Sequence, residues 1–288
     1  MNQKKKTILV CEGGSLRGMF TSGVLDTFMD KNIKIDAIVG VSAGALFSPN
    51  YFSNQKGRAL RYSKRFCNDK RNMSFRNFIL TGNLVSKQFA YYDITLKHDV
   101  FDNETFIKNN TGFYATVTNV ETGQAEYIQM HDIVNEMEVL RATAAIPFVS
   151  QMVKWNDNNY LDGGVGDSIP VLFAKSLGYE NIIVVTTRDA SYQKGPLSRS
   201  MRSLLKLRYR KYPHFIEAME NRHLRYNETL KQIRQMEENK EIFVIRPSQP
   251  IHMHTIERDP DKLQEVYDLG VHDCITSIDA LKSYLHHE

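Results

Sequence analysis

The first 45 residues alternate between apolar runs and glycine breaks. Thr7 to Cys11 is a short apolar run bounded by Gly13-Gly14, and Val24, Leu25, Phe28 and Met29 then recur at helical spacing. Ile35 to Val41 is apolar apart from Asp36, rich in β-branched residues, and stops at Gly40-Val41-Ser42-Ala43-Gly44. Strand, glycine loop, helix and strand make a βαβ unit. Its two strands are parallel, because a helical crossover returns the chain to the same end of the sheet. The Gly13 loop and the Ser42 turn are therefore expected side by side, at the edge where open α/β sheets bind ligands.

Residues from Ser53 to about Asn110 read as mostly helical and basic, with Tyr62, Phe66, Phe75 and Phe78 interleaved. Phe113 to Thr118 and Gln124 to Ile128 form a hairpin pattern around Glu121-Thr122-Gly123. The small-residue block Arg141 to Pro147 comes next, then short strands around Asn156 to Asn159, then Asp162-Gly163-Gly164. A helix near Pro170 to Leu177 and a strand at Ile182 to Thr187 suggest a second βαβ unit. Beyond Gly195, Leu197, Met201, Leu204, Leu205 and Tyr209 lie at helical spacing, with Arg199, Arg202, Lys206 and Arg210 largely elsewhere on the wheel. One long helix from Phe215 to Asn239, a strand at Ile242 to Arg246 and a final helical region complete the chain. Residues 1–195 are expected to form the main α/β domain, and 196–288 a helical extension that completes it or packs on it.

At 288 residues, 42% hydrophobic and 24% charged, the composition is that of a soluble globular protein. Behind Lys4-Lys5-Lys6 the apolar stretch ends at Glu12, too short for a signal-peptide core, and no window reaches the roughly 18 apolar residues of a membrane span. A cytoplasmic protein is expected, peripheral to a membrane at most. Cys11, Cys67 and Cys274 are odd in number and lack metal-like spacing, and His252 and His254 have no third ligand near them in the chain. No metal or cofactor is expected. The net charge of +4 conceals two basic patches: Lys56 to Arg76 carries eight Lys or Arg against Asp69, and Lys194 to Lys211 carries seven with no acidic residue. Such patches suit anionic surfaces. The aromatics near the first recur at core spacing, which argues against nucleic acid as partner.

Gly40-Val41-Ser42-Ala43-Gly44 fits the pattern G-x-S-x-G. A nucleophile on a tight strand-to-helix turn needs small neighbours because the backbone is crowded, and the turn lifts the hydroxyl clear of the sheet. Glu12-Gly13-Gly14-Ser15-Leu16-Arg17-Gly18 is a glycine loop opening onto a helix, a source of backbone N–H donors for a developing oxyanion. Arg17 would hold this loop or add positive potential. A dinucleotide site competes for the same loop, but Ser15 stands where its third-position glycine belongs, and Asp36 begins a strand instead of ending one. Asp162-Gly163-Gly164 offers a general base at a strand end, or simply an Asx turn.

Together, in this order, the three motifs resemble the patatin-like phospholipase family. The likeness spans Ile8 to about Thr187 and includes Arg17-Gly18, Gly23-Val24-Leu25 and the Ala142 to Pro147 block. It implies a three-layer α/β/α sandwich with a mainly parallel central sheet, hydrolysing acyl esters, phospholipid among them, with a Ser-Asp dyad and no metal. Carried over, Ser42 is the nucleophile, Asp162 its base, and the amides around Gly13, Gly14 and Ser15, with Arg17, the oxyanion loop. Family members typically have a third glycine at Ser15. A left-handed backbone there costs a serine about 1 kcal/mol or more, so the loop must avoid that conformation or carry strain. Two alternatives stay open: a lipid-surface binder impaired at Ser15, and a Ser-His-Asp esterase using His214, His223, His252, His254 or His272. The segment 194–211 is the expected membrane contact.

Overall fold

The computed structural model describes residues 5–254 and 257–286, so Lys4 and His287 of the terminal runs lie outside it. Among these residues, eight strands form one sheet. They are β1 (Thr7–Cys11), β2 (Ala37–Val41), β3 (Gly112–Asn119), β4 (Ala125–Gln129), β5 (Val153–Trp155), β6 (Asn158–Asp162), β7 (Asn181–Val185) and β8 (Phe243–Ile245). From β3 through β2, β1 and β7 to β8 every pairing is parallel; β4 and β6 both run antiparallel to β3, and β5 antiparallel to β6.

The period-2 alternation of the central strands sorts their side chains into two cores. Leu9, Cys11, Ile38, Ile183 and Val185 face the helices Met19–Asp30 and Pro260–His286. Ile8, Val10, Ala37, Val39, Ile182 and Val184 face Val171–Ser176 and Arg222–Glu238. Helices thus cover both faces, and the chain is the three-layer sandwich expected of it. The helices Met19–Asp30 and Pro260–His286 approach closely because glycine stands on each: a Cβ on Gly23 would strike the Tyr267 carbonyl, and one on Gly270 that of Phe20.

Three expectations are revised. The helix read as continuous from Phe215 is two, Pro213–Glu220 and Arg222–Glu238. The first sends Phe215, Ala218 and Met219 into a third core with Val117 and Leu161, and the second sends Tyr226 and Ile233 under the parallel strands, so a break at Asn221 lets each reach its own cluster. The second βαβ unit is not parallel, since β6 opposes β3 and hence β7. Finally, the basic helix spans Arg199–Arg208 and buries only Leu205 within it, leaving Met201 and Leu204 exposed.

The antiparallel direction of β6 decides which residues meet at the end of β2. Val117 and Thr118 pair with both β4 and β6, so those strands take opposite edges of β3. Tyr114 to Thr116 pair with both β4 and β2, which puts β2 opposite β4 as well. Strands β2 and β6 therefore share one edge of β3 and meet end to end, with Val41 beside Thr116 and Asp162 beside Val117.

Candidate active site

At that junction the Ser42 hydroxyl donates to Asp162 Oδ2 at 2.7 Å. Two residues 120 positions apart meet because one lies just past the end of a parallel strand and the other ends the antiparallel strand coming from the opposite direction.

Ser42 has φ 51° and ψ −121°, a region disfavoured for any side chain and retained only where its surroundings hold it. Here they do. Its N–H donates to Thr143 Oγ1 at 2.9 Å, and that hydroxyl donates to the Thr116 carbonyl at 2.5 Å. The Leu46 N–H returns to the Ser42 carbonyl at 2.9 Å, starting the Ala43–Phe47 helix. The turn tolerates only glycine at its flanks: a Cβ on Gly40 would lie 2.6 Å from Ala45 Cα, and one on Gly44 2.5 Å from the Cys11 carbonyl oxygen.

Asp162 is held as firmly. Its Oδ1 accepts from the Gly164 N–H at 2.8 Å, its own N–H donates to the Ala145 carbonyl at 2.9 Å, and Thr118 Oγ1 donates to its carbonyl at 2.8 Å. A side chain on Gly163 would collide with the Thr116 backbone, which is why glycine follows Asp162. Burial pushes the Asp162 carboxyl above its ordinary range; the Ser42 hydroxyl, Arg222, the Gly164 N–H and Lys194 pull it part of the way back.

The glycine loop lies against the serine, as the βαβ unit requires. A Cβ on Gly13 would be 3.2 Å from Ser42 Cβ, and one on Gly18 2.8 Å from Ala43 Cβ. The loop is tied down by Glu12 N–H to the Val185 carbonyl at 3.0 Å and by a long contact, 3.5 Å, from Gly13 N–H to the Ser168 carbonyl. Ser15 has φ 50°, so the serine takes the left-handed conformation and the loop carries the strain. Urea unfolding should therefore find Ser15→Gly about 1 kcal/mol more stable than Ser15→Ala, both having lost the hydroxyl. Equal stability would mean the left-handed backbone costs nothing here.

Ser15 and Leu16 line the cavity with Ser42, but Arg17 does not. The Ser15–Gly18 segment is a 3-10 turn, which rotates successive residues by about a third of a circle and carries Arg17 out of line with Ser15 and Leu16. Arg17 instead stands near Glu12, Arg188, Tyr192 and Tyr226, its buried Nε without a hydrogen-bond partner among the described residues. Glu12 is buried, accepting from the Thr187 N–H at 2.6 Å and the Tyr226 hydroxyl at 2.6 Å. Lys194 lies 4.5 Å above the Tyr226 ring, and burial together with Arg222 pushes its ammonium down to about 8. Arg222 Nε donates to the Gly164 carbonyl. No role was assigned to Thr143, Glu12 or Arg222 from the sequence; Glu12 opens the glycine-loop motif and Thr143 stands inside the small-residue block, whereas Arg222 stood near no recognised motif.

From Ser42 a cavity of about 220 Å³ runs between apolar walls that include Leu46, Phe47, Tyr91, Ile94, Met137 and Leu140. Tyr91 and Ile94 come from Lys87–His98, a π-helical stretch, a geometry often found at functional sites. None of His214, His223, His252, His254 and His272 lines this cavity or hydrogen-bonds to Ser42 or Asp162; His223 contacts the Glu220 carbonyl and His272 contacts Asp273. Among the described residues no three His, Cys, Asp or Glu side chains gather as a metal site, and no helix is long and apolar enough to cross a membrane.

Fold and site together define an α/β sandwich carrying a strand-borne serine and its carboxylate partner at the carboxyl edge of the sheet. The family model described as patatin-like phospholipase matches residues 9–175, and the chain belongs to that family. A second model, described as a domain of unknown function (DUF6363), matches residues 212–286. The chain is similar to the uncharacterized protein YjjU of Escherichia coli (strain K12), 28% identical over 275 residues covering 93% of this chain and 76% of that one. It is 25% identical over 218 residues to a probable lipid hydrolase, 463L, of Invertebrate iridescent virus 6, covering 65% of this chain and 71% of the relative. To lysophospholipase NTE1 of Eremothecium gossypii it is 25% identical over 182 residues, which are 62% of this chain but 12% of that much longer one. Among solved structures, VipD from Legionella pneumophila matches with a TM-score of 0.47 at 10% identity, over 96% of this chain and 67% of that chain.

Proposed function

We propose that the protein hydrolyses acyl esters of lipids through an acyl-enzyme formed on Ser42. The observation that carries this is the Ser42–Asp162 hydrogen bond at the end of an apolar cavity. Membership of the patatin-like phospholipase family, and the lipid-hydrolase and lysophospholipase names of two relatives, support the same class of reaction.

In this reading Ser42 Oγ attacks the ester carbonyl carbon while Asp162 Oδ2 takes its proton. The charge that develops on the carbonyl oxygen is met by backbone N–H groups of the Gly13–Ser15 loop, and Arg17 supports the loop from beside Glu12 without entering the cavity. Collapse of the tetrahedral intermediate breaks the bond to the leaving alkoxide, which receives the proton from Asp162. Water then attacks the acyl-enzyme, giving its proton to Asp162, and the carboxylic acid leaves as Ser42 is re-protonated. The apolar walls hold the acyl chain.

The test is fatty-acid release from a long-chain lysophospholipid, measured by mass spectrometry, beside turnover of a short-chain p-nitrophenyl ester. Ala90, which lines the cavity, gives the control. Ala90→Phe is expected to lower kcat/KM for the long chain by about tenfold or more, the scale of an apolar-pocket mismatch, with little change for the short ester. Absence of fatty acid from every acyl ester offered would overturn the proposal.

A further inference from the structure

Residues 72–86 form a flap beside the cavity. Its base is a short antiparallel bridge, Met73 opposite Val85, closed by Ser74 N–H to the Leu84 carbonyl at 3.1 Å and Ser86 N–H to the Asn72 carbonyl at 2.8 Å. Met73, Leu84 and Val85 of this base line the cavity. The Phe75–Thr81 helix, between the two sides of the base, buries none of its residues, and Phe75, Ile79 and Leu80 are each 69% exposed.

A second exposed apolar set stands close by. The flap is tied to residues 149–151 by Leu84 N–H to the Val149 carbonyl at 2.8 Å and by Gln151 N–H to Asn83 Oδ1 at 2.9 Å. The adjoining Phe148 packs its ring on Tyr209, whose hydroxyl accepts from the Phe148 N–H at 3.2 Å. Tyr209 ends the Arg199–Arg208 helix, which leaves Met201, Leu204 and Leu207 exposed. Among the described residues, six of the twelve large exposed hydrophobic side chains are on these two helices, the first of which is carried by the segment whose base lines the cavity. Cations share the surface. Lys70 and Arg76 on the flap side, and Arg199, Arg208, Arg210 and Lys211 on the other, join no ion pair among the described residues.

Exposed Phe, Ile and Leu side chains are favoured by transfer out of water, and unpaired Lys and Arg side chains by the negative potential of an anionic leaflet. A peptide groove partner would satisfy the apolar side chains but leave the unpaired cations of both segments without counter-charge; an anionic bilayer satisfies both. We propose that the Phe75–Thr81 and Arg199–Arg208 helices form the surface on which the protein docks on an anionic phospholipid bilayer, with the flap inserting beside the cavity wall. The proposal rests on reading the cavity as the acyl-chain site, since docking there shortens the path from bilayer to Ser42. It also moves the membrane contact expected of the basic segment 194–211: Lys194 stays apart, against Tyr226, and a flap outside that segment takes part.

The test is flotation with phosphatidylcholine vesicles, with and without abundant phosphatidylglycerol. Wild type, the pair Ile79→Asp with Leu80→Asp, and the pair Leu204→Asp with Leu207→Asp are compared, and each is assayed on a soluble short-chain ester. Wild type is expected to float with the anionic vesicles, and each pair to lose about tenfold or more of that binding while soluble-ester turnover is unchanged. Undiminished flotation of both pairs would overturn the proposal. So would a wild-type dimer, seen by size-exclusion chromatography and dissolved by the substitutions, because it would assign this face to a second copy. If flotation behaves as expected but wild type turns over no ester, docking stands and the hydrolase reading fails.

Discussion

Ser42→Ala is expected to abolish labelling by a fluorophosphonate probe and to lower ester turnover by about 10⁶-fold, the scale seen when a hydrolase loses its nucleophile. The Ser42 hydroxyl is the cavity group that donates to the buried Asp162 carboxylate, and alanine removes it while keeping the Cβ that the turn already accommodates at φ 51°. The Thr143 contact goes to the Ser42 backbone N–H, so the turn survives the change. Loss of labelling therefore reports chemistry and not unfolding, which circular dichroism checks independently. Mass-spectrometric mapping of the wild-type adduct should place it on the peptide containing Ser42. An adduct elsewhere, or labelling that persists in Ser42→Ala, would remove this serine from the mechanism.

Asp162→Asn should lower kcat/KM by about 10²- to 10⁴-fold, the contribution typical of a positioned general base. Asparagine can still accept from the Gly164 N–H, so the turn at Asp162 is preserved and only the proton acceptor is lost. The pH profile follows from the environment of the carboxyl. Because burial raises its pKa, kcat/KM should fall on the acid side through an ionisation above about 3.9, the ordinary aspartate value. The linked stability has the opposite sense. A carboxyl whose folded pKa exceeds its unfolded one contributes stability that is complete below the unfolded value and lost as pH rises through the folded value, so at neutral pH the buried charge is a liability. Asp162→Asn is accordingly expected to unfold at a higher temperature than wild type at neutral pH, with the gap closing as pH is lowered. Activity that survives Asp162→Asn and is lost on replacing one of the later histidines would favour a Ser-His-Asp arrangement instead.

That stability trade reflects how the site is built. The strained turn at Ser42, the left-handed Ser15 and the buried carboxylate each oppose folding, and each is held by backbone hydrogen bonds or close packing from several elements. The close contacts of Gly40, Gly44 and Gly163 serve this end: a methyl on Gly40 would strike the Ala43–Phe47 helix, one on Gly44 the end of β1, and one on Gly163 the Thr116 backbone of β3.

Much of this was legible locally. Apolar runs ending on glycine define β1 and β2, and a helical crossover between them admits one geometry, so the Gly13 loop had to lie beside Ser42. The adjoining motif order pointed to Asp162, although spacing alone could not distinguish a base from an Asx turn. The division of one predicted helix at Asn221 was not legible, because a single asparagine is tolerated inside a helix and only the separate positions of two cores demand the break. Nor was the direction of Arg17, which depends on a tight 3-10 turn that four residues of sequence do not specify.

The chain by itself determined the strand–loop–helix–strand unit and the turn that carries Ser42, because hydrophobic period and glycine placement act over a few residues. Tertiary structure decided what stands opposite that serine. Strand β6 reaches the edge of β3 that β2 has vacated, running the other way, and its last residue meets the first residue beyond β2. It also decided which apolar residues of the two outer helices stay in water: the core beneath Arg199–Arg208 has room for Leu205 and Tyr209, and Met201, Leu204 and Leu207 are left at the surface. Such outcomes depend on contacts between segments far apart in the chain, and no short-range pattern encodes them.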